Sequence, residues 1–195
     1  MYRTSAALSA ICFVLLVFVN QCIASSSAYI CYCPEGLGRA VSVRLASEVK
    51  ELLDAGANPN CIYGGRMEHR WTPLYHAALL NHVEVAEILL EAGADPLQVC
   101  VFSEENGGES PFKLALFRGY YDLVDRFVAH GISLERILMQ SVSVNDLKMV
   151  ECLSAYGVDV TAPYTEGSLG DPISHAKLVG HEKMVELLTR LGSEE

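Results

Sequence analysis

Apolar and polar positions follow a helical period along this chain, in blocks that come in pairs. Val85-Ala86-Glu87-Ile88-Leu89-Leu90 and Met184-Val185-Glu186-Leu187-Leu188 each place an apolar stripe on one side of a helix. Four such blocks close on a glycine followed by a small or branched apolar residue: Leu53-Asp54-Ala55-Gly56-Ala57, Leu90-Glu91-Ala92-Gly93-Ala94, Val128-Ala129-His130-Gly131-Ile132 and Ser154-Ala155-Tyr156-Gly157-Val158. A glycine there predicts the left-handed residue that stops a helix.

Twenty-one residues before each closing glycine lies a second helix start. Thr72-Pro73-Leu74-Tyr75-His76-Ala77-Ala78 precedes Gly93, and Ser110-Pro111-Phe112-Lys113-Leu114-Ala115 precedes Gly131. Asp171-Pro172-Ile173-Ser174-His175-Ala176 precedes Gly192, Arg136 precedes Gly157, and Glu35 precedes Gly56. Thr72, Ser110 and Asp171 are N-cap residue types, each followed by proline at the first helical position, where a missing N–H costs nothing. Nine residues after the last four starts stand Asn81, Gly119, Asn145 and Gly180, types that tolerate a left-handed backbone and so reverse the chain into the next helix. The first block has Arg44 at that turn and no N-cap type, which predicts a divergent cap.

A unit of two helices recurring in the thirties predicts a solenoid. The Thr72-Pro73-Leu74-Tyr75-His76-Ala77 phrase and its counterparts resemble the ankyrin-repeat family, whose repeat opens on T-P-L-H-x-A. The resemblance implies an all-α solenoid of about five helix-turn-helix repeats, starting near 35, 72, 110, 136 and 171, in a domain spanning 29–195. It also implies a non-enzymatic surface that holds a protein partner, and a structural role for His82 and His181 behind their turns. Against a family period of about 33, extra residues fall in extended loop fingers at 57–71, 94–109 and 158–170, while the connection after Gly131 is almost absent.

The N-terminus changes the compartment. Met1-Tyr2-Arg3 is followed by an uncharged apolar run from Ala6 to Val19, shorter than the roughly twenty residues a bilayer span needs. Residues 1–28 therefore read as a secretory signal, cleaved after Ala24 or Ala28, and predict an exported protein, periplasmic if bacterial and otherwise secreted, with no stable membrane span. The formal net charge is −10, from 14 basic and 24 acidic side chains. Loss of Arg3 with the leader makes the balance more acidic still, which disfavours nucleic acid and permits a basic protein partner. In an oxidising compartment cysteines pair. Cys31 or Cys33, just ahead of the first helix, could bridge to Cys61 in the first finger and pin the cap. Cys100 takes the spare N-terminal cysteine or stays free, and Cys152, in an apolar stripe, reads as a buried thiol.

No catalytic constellation, cofactor motif or metal spacing emerges. Asp171, Ser174 and His175 occupy one helix start and cannot converge as a triad. His181-Glu182 lacks the second histidine of a zinc-protease helix. His69, His76, His82 and Cys100 are scattered. The binding expectation rests instead on the fingers and first helices. Tyr63, Arg66, Glu68, His69 and Trp71 cluster in the first finger, in the residue types that dominate interface energetics. Phe102 and Glu104 mark the second finger and Tyr164 the third. His76, Arg118 and Tyr121 are expected on a concave groove lined by first helices, with Leu79 and Phe117 either beside them or in the core. Three functions compete: a binder of one protein partner, a neutraliser that occludes a toxic enzyme in the periplasm, and a redox or metal-handling factor resting on Cys31-Tyr32-Cys33.

Overall fold

The computed structural model describes residues 33–34, 36–63, 71–103, 107–164 and 170–193, the side chains at 101–103 and 107 excepted. The expected leader, with Cys31, lies outside these residues. The array falls within the unit Tyr32–Glu195.

Ten helices are present among the described residues, in five pairs: α1 (Leu37–Ser42) with α2 (Ala46–Asp54), α3 (Pro73–Leu79) with α4 (Val83–Glu91), α5 (Pro111–Phe117) with α6 (Tyr121–Ala129), α7 (Leu134–Ser143) with α8 (Leu147–Tyr156), and α9 (Pro172–Leu178) with α10 (Glu182–Leu191). First helices pack on first helices (α1 on α3, α3 on α5, α7 on α9), and second helices on second helices (α2 on α4, α4 on α6, α8 on α10). The caps form as the sequence dictates. Side chains of Thr72, Ser110 and Asp171 accept hydrogen bonds from the N–H groups of Tyr75, Lys113 and Ser174 at 3.1, 3.2 and 2.8 Å. Those bonds hold the Asp171 carboxyl below its ordinary pKa, Ser174 contributing most.

Each pair reverses through a left-handed residue, with φ of 60° at Arg44, 55° at Asn81, 69° at Gly119, 60° at Asn145 and 77° at Gly180. Arg44 adopts the conformation that its neighbours assign to Asn or Gly, at a steric cost the others avoid. Four positions before each of these residues stand Ala40, Ala77, Ala115, Ser141 and Ala176, all buried. Their small size lets the helices approach. Larger side chains, among them Phe112, Phe127, Leu89, Leu153 and Met184, fill the layer between the rows. His82 and His181 tie repeats together, each ring Nδ1 hydrogen-bonded to a carbonyl of the preceding repeat (Val41 at 3.0 Å and Val142 at 2.9 Å).

Three expectations are corrected. The fourth repeat opens at Ser133, which caps the Arg136 N–H, and not at Arg136, which lies inside α7. With the finger deleted, its first helix starts early and runs ten residues. The last closing glycine also differs. Gly56, Gly93, Gly131 and Gly157 have φ of 93°, 86°, 97° and 104°, but Gly192 keeps φ −74° and bonds to the Leu188 carbonyl. Glycine is needed there because a Cβ would run into Thr161. Finally, the second finger is not a plain loop: Cys100–Ser103 (β1) and Gly107–Glu109 (β2) form an antiparallel hairpin, irregular between Val101 and Ser103.

Candidate partner-binding face

The first finger is closed at its base. Tyr63 and Trp71 exchange two main-chain hydrogen bonds, of 2.9 and 3.0 Å, in an isolated antiparallel bridge. Arg66, Glu68 and His69 fall beyond that bridge, outside the described residues. Just before it, Cys33 and Cys61 are joined by a disulfide, with Cα atoms 5.1 Å apart. Of the two pairings open from sequence, the cap therefore uses Cys33.

Tyr63, Trp71 and His76 meet. The Tyr63 hydroxyl and His76 Nδ1 are hydrogen-bonded at 2.5 Å, and the Trp71 and His76 rings lie 5.0 Å apart. Tyr63 also covers Gly38 so closely that a Cβ there would lie 2.8 Å from Tyr63 Cε2. All three are half-buried, with Tyr63 and Trp71 packed against the core. Burial pushes the Tyr63 phenol far up, with the nearby Cys100 adding to it. Burial also lowers His76, with help from the charge of His82. The trio joins finger to scaffold, so these aromatics carry packing as well as whatever surface they offer.

The second finger is fastened to the same helix. Cys100 is buried, its sulfur 3.4 Å from the Thr72 nitrogen and 3.7 Å from Thr72 Oγ1. It is a free thiol, raised in pKa mainly by burial. Cys152 is also free, half-buried and raised for the same reason. Tyr75 donates to Glu109 Oε2 on β2 at 3.2 Å. Asn60 links the two fingers: its Nδ2 donates to Gly93 O at 2.9 Å, and its Oδ1 accepts from Asp95 N at 2.7 Å. Phe102 lies on β1, and Glu104 falls outside the described residues. In the third finger Tyr164 N donates to Gly170 O at 3.1 Å, and its half-buried side chain borders a small hollow with Leu138, Met139 and Pro172.

The most exposed part of the first-helix row is its turn edge. Immediately before each left-handed residue stand Val43, Leu80, Arg118, Val144 and Val179, all solvent-exposed, with Leu178 beside the last at 83% exposure. Leu79 and Phe117 sit one position earlier, half-buried against the core. Two cations flank the Phe117 ring, Lys113 Nζ at 5.0 Å and Lys148 Nζ at 4.3 Å from its centroid. Sequence reasoning identified Arg118 but missed the apolar residues in register with it. The cue was available, because each precedes a turn residue already recognised, where water-facing residues are expected to be polar. Asn60 and Glu109 were missed for a different reason: their partners come from neighbouring repeats.

Tyr121 is a correction. It was expected among the first helices, but it opens α6 and belongs to the second-helix row, 43% exposed. There its ring packs edge-on against Tyr156, with centroids 5.4 Å apart, and Tyr156 donates a short hydrogen bond to Asp125. Among the described residues, no group of three or more His, Cys, Asp or Glu side chains is placed to hold a metal ion, and no helix is long and apolar enough to cross a membrane.

Comparison with known proteins agrees with this geometry. Residues 37–137 match the family described as ankyrin repeats, in three copies. Over 71 residues the chain is 39% identical to the human 2-5A-dependent ribonuclease, a match covering 36% of this chain and 8% of that protein. This chain therefore spans under a tenth of that protein's length.

Proposed function

Because the chain belongs to the ankyrin-repeat family, a family of binding modules that mediate protein–protein interaction, we propose that it captures one protein partner outside the cytoplasm, on the side formed by its first helices and fingers. The observation that carries this reading is the turn edge. A monomeric array has no packing reason to expose Val43, Leu80, Val144 and Val179 in register, with Leu178 beside the last, and exposed apolar residues in a row mark interaction sites. The export part draws on the leader-like N-terminus and on the Cys33–Cys61 bridge, since structural disulfides persist in oxidising compartments.

The neutraliser reading took its cue from the acidic balance of the chain. Eleven of the 24 acidic side chains sit on the second helices, so a basic enzyme would find its largest helical concentration of counter-charge there. The test is affinity capture from the extracytoplasmic fraction of the source, with Leu80→Ala/Arg118→Ala/Val144→Ala run beside the wild-type chain. One stoichiometric protein lost in the variant supports the reading. A partner retained undiminished by the variant moves the interface elsewhere, and capture only from the cytoplasmic fraction removes the export part.

A further inference from the structure

Charge is segregated between the two helix rows. The first helices and their turns carry six basic side chains (Arg39, Arg44, Lys113, Arg118, Arg136 and Lys177) against two acidic ones, Glu135 and Asp146. The second helices reverse this, with eleven acidic against five basic. A chain whose overall charge is −10 thus has a locally cationic row. Some of that charge is engaged at home: Arg39 pairs with Glu48 at 3.1 Å and Lys113 with Asp146 at 3.0 Å. Arg44, Arg118 and Lys177 remain exposed, and each neighbours an exposed apolar residue in the row: Val43 beside Arg44, Leu178 beside Lys177, and Leu80 and Val144 at the register positions on either side of Arg118.

From this juxtaposition we infer that the turn edge of the first-helix row takes an acidic peptide segment bearing apolar side chains, contributed by the protein partner. The inference rests on the binding reading above and specifies the partner's chemistry. Charge complementarity selects acid: a basic segment would meet Arg44, Arg118 and Lys177 without counter-charge, and like charges facing each other across an interface suppress binding. The interleaved valines and leucines select a polypeptide over a phosphate backbone, which would leave them uncovered and would be repelled by the acidic remainder of the chain. Exposed cations in such a row contribute chiefly to association rate and specificity, while the apolar contacts supply most of the hold.

The test is a selection from a phage-displayed library of random 16-residue peptides on the purified full chain, followed by titration of the selected peptides. The expected peptides are enriched in Asp and Glu together with Leu, Ile, Val or Phe. Arg44→Glu/Arg118→Glu/Lys177→Glu should weaken them at least about tenfold, as should raising salt from about 0.05 to 0.5 M. The control Glu51→Lys/Glu91→Lys/Glu186→Lys, on the second helices, should leave affinity within about twofold. Circular dichroism should show both variants folded. Basic peptides, or acidic ones indifferent to the first triple reversal, would overturn the inference and leave the protein-binding reading standing. A 20-nucleotide oligothymidine that binds as tightly and is lost in the same variant would overturn it in favour of a phosphate backbone. A library that yields no binder at all would overturn both.

Discussion

The first and fourth repeats solve one problem, attachment to a neighbour, by opposite means. The first has the shorter opening helix, six residues with Gly36 at its N-cap and no side-chain cap. Beyond the packing of α1 on α3 and α2 on α4, it is held through the finger behind it, by the Cys33–Cys61 bridge and by Tyr63 lying over Gly38. The fourth has no finger ahead of it, a ten-residue opening helix and Ser133 as its cap. Here the main packing across the junction is α5 on α8. Polar and aromatic contacts complete it: Lys113 with Asp146, Lys148 over Phe117, and Tyr156 with Asp125 and Tyr121. A long finger lets a repeat be stapled through its loop. Where the loop is deleted, helix packing is supplemented by half-buried and exposed side chains on the second helix and at its cap, whose contacts are individually weak.

The largest expected break of this contrast is Cys33→Ser/Cys61→Ser. Closing a loop of 28 residues should be worth about 3 kcal/mol, in the range typical of native disulfides. Urea unfolding should show that loss, and reductant should bring the wild-type chain to the variant's midpoint. An unchanged midpoint would mean that packing alone holds the cap. Trp71→Ala comes next, at about 2 kcal/mol for a half-buried aromatic, because the ring supports the finger base. A large loss of partner binding with no loss of stability would return Trp71 to the interface and out of the scaffold.

The fourth repeat should answer more softly. Asp146→Ala removes both the cap on Met149 N, a 3.1 Å bond, and the Lys113 pair, for about 1.5 kcal/mol together. Asp146→Asn keeps a capping oxygen and should cost only about 0.5 kcal/mol, so the difference between the two variants separates cap from ion pair. Tyr156→Phe should cost less than about 1 kcal/mol. Burial first, and the Asp125 bond second, push the Tyr156 phenol up to about 12, so the substitution should remove one late-titrating tyrosine from the ultraviolet titration.

The finger base also carries a pH dependence on the acid side. His76 is depressed below its ordinary value of 6.5 by burial, so the folded state disfavours its proton. Stability on this account is full above pH 6.5 and falls as pH drops from there towards the lower folded value, since the unfolded chain takes the proton first. The unfolding midpoint should decline over that window, and the decline should flatten in His76→Gln. An identical decline in the variant would assign it to other groups.

Much of this was legible along the chain because it is local. N-caps at Thr72, Ser110 and Asp171, prolines after them, left-handed residues nine positions on and closing glycines all act within a turn or two of themselves, and the fold formed around them. Ser133 was obscured because a fixed interval back from Gly157 reaches only Arg136, whereas with the finger deleted α7 begins earlier, at Leu134. Tyr121 was misplaced because only Arg118, Gly119 and Tyr120 separate the two helices, too few to locate the row from spacing alone. In the candidate face, Arg118 stood out by residue type. Leu80, Val144 and Leu178 did not, since an apolar residue at helical spacing reads as core.

By itself, then, the sequence determined the repeat, its helices, its reversals and the places where fingers extend, since these follow from backbone preferences and from a stripe that must be buried. Only the tertiary structure decided which thiol closes the cap, which aromatics turn inward to the finger base, and which helix carries the acid. Those outcomes depend on residues some thirty positions apart, one repeat on, coming side by side. Stacking, not local propensity, makes them neighbours: Asn60 beside Gly93, Tyr75 beside Glu109, Lys113 beside Asp146.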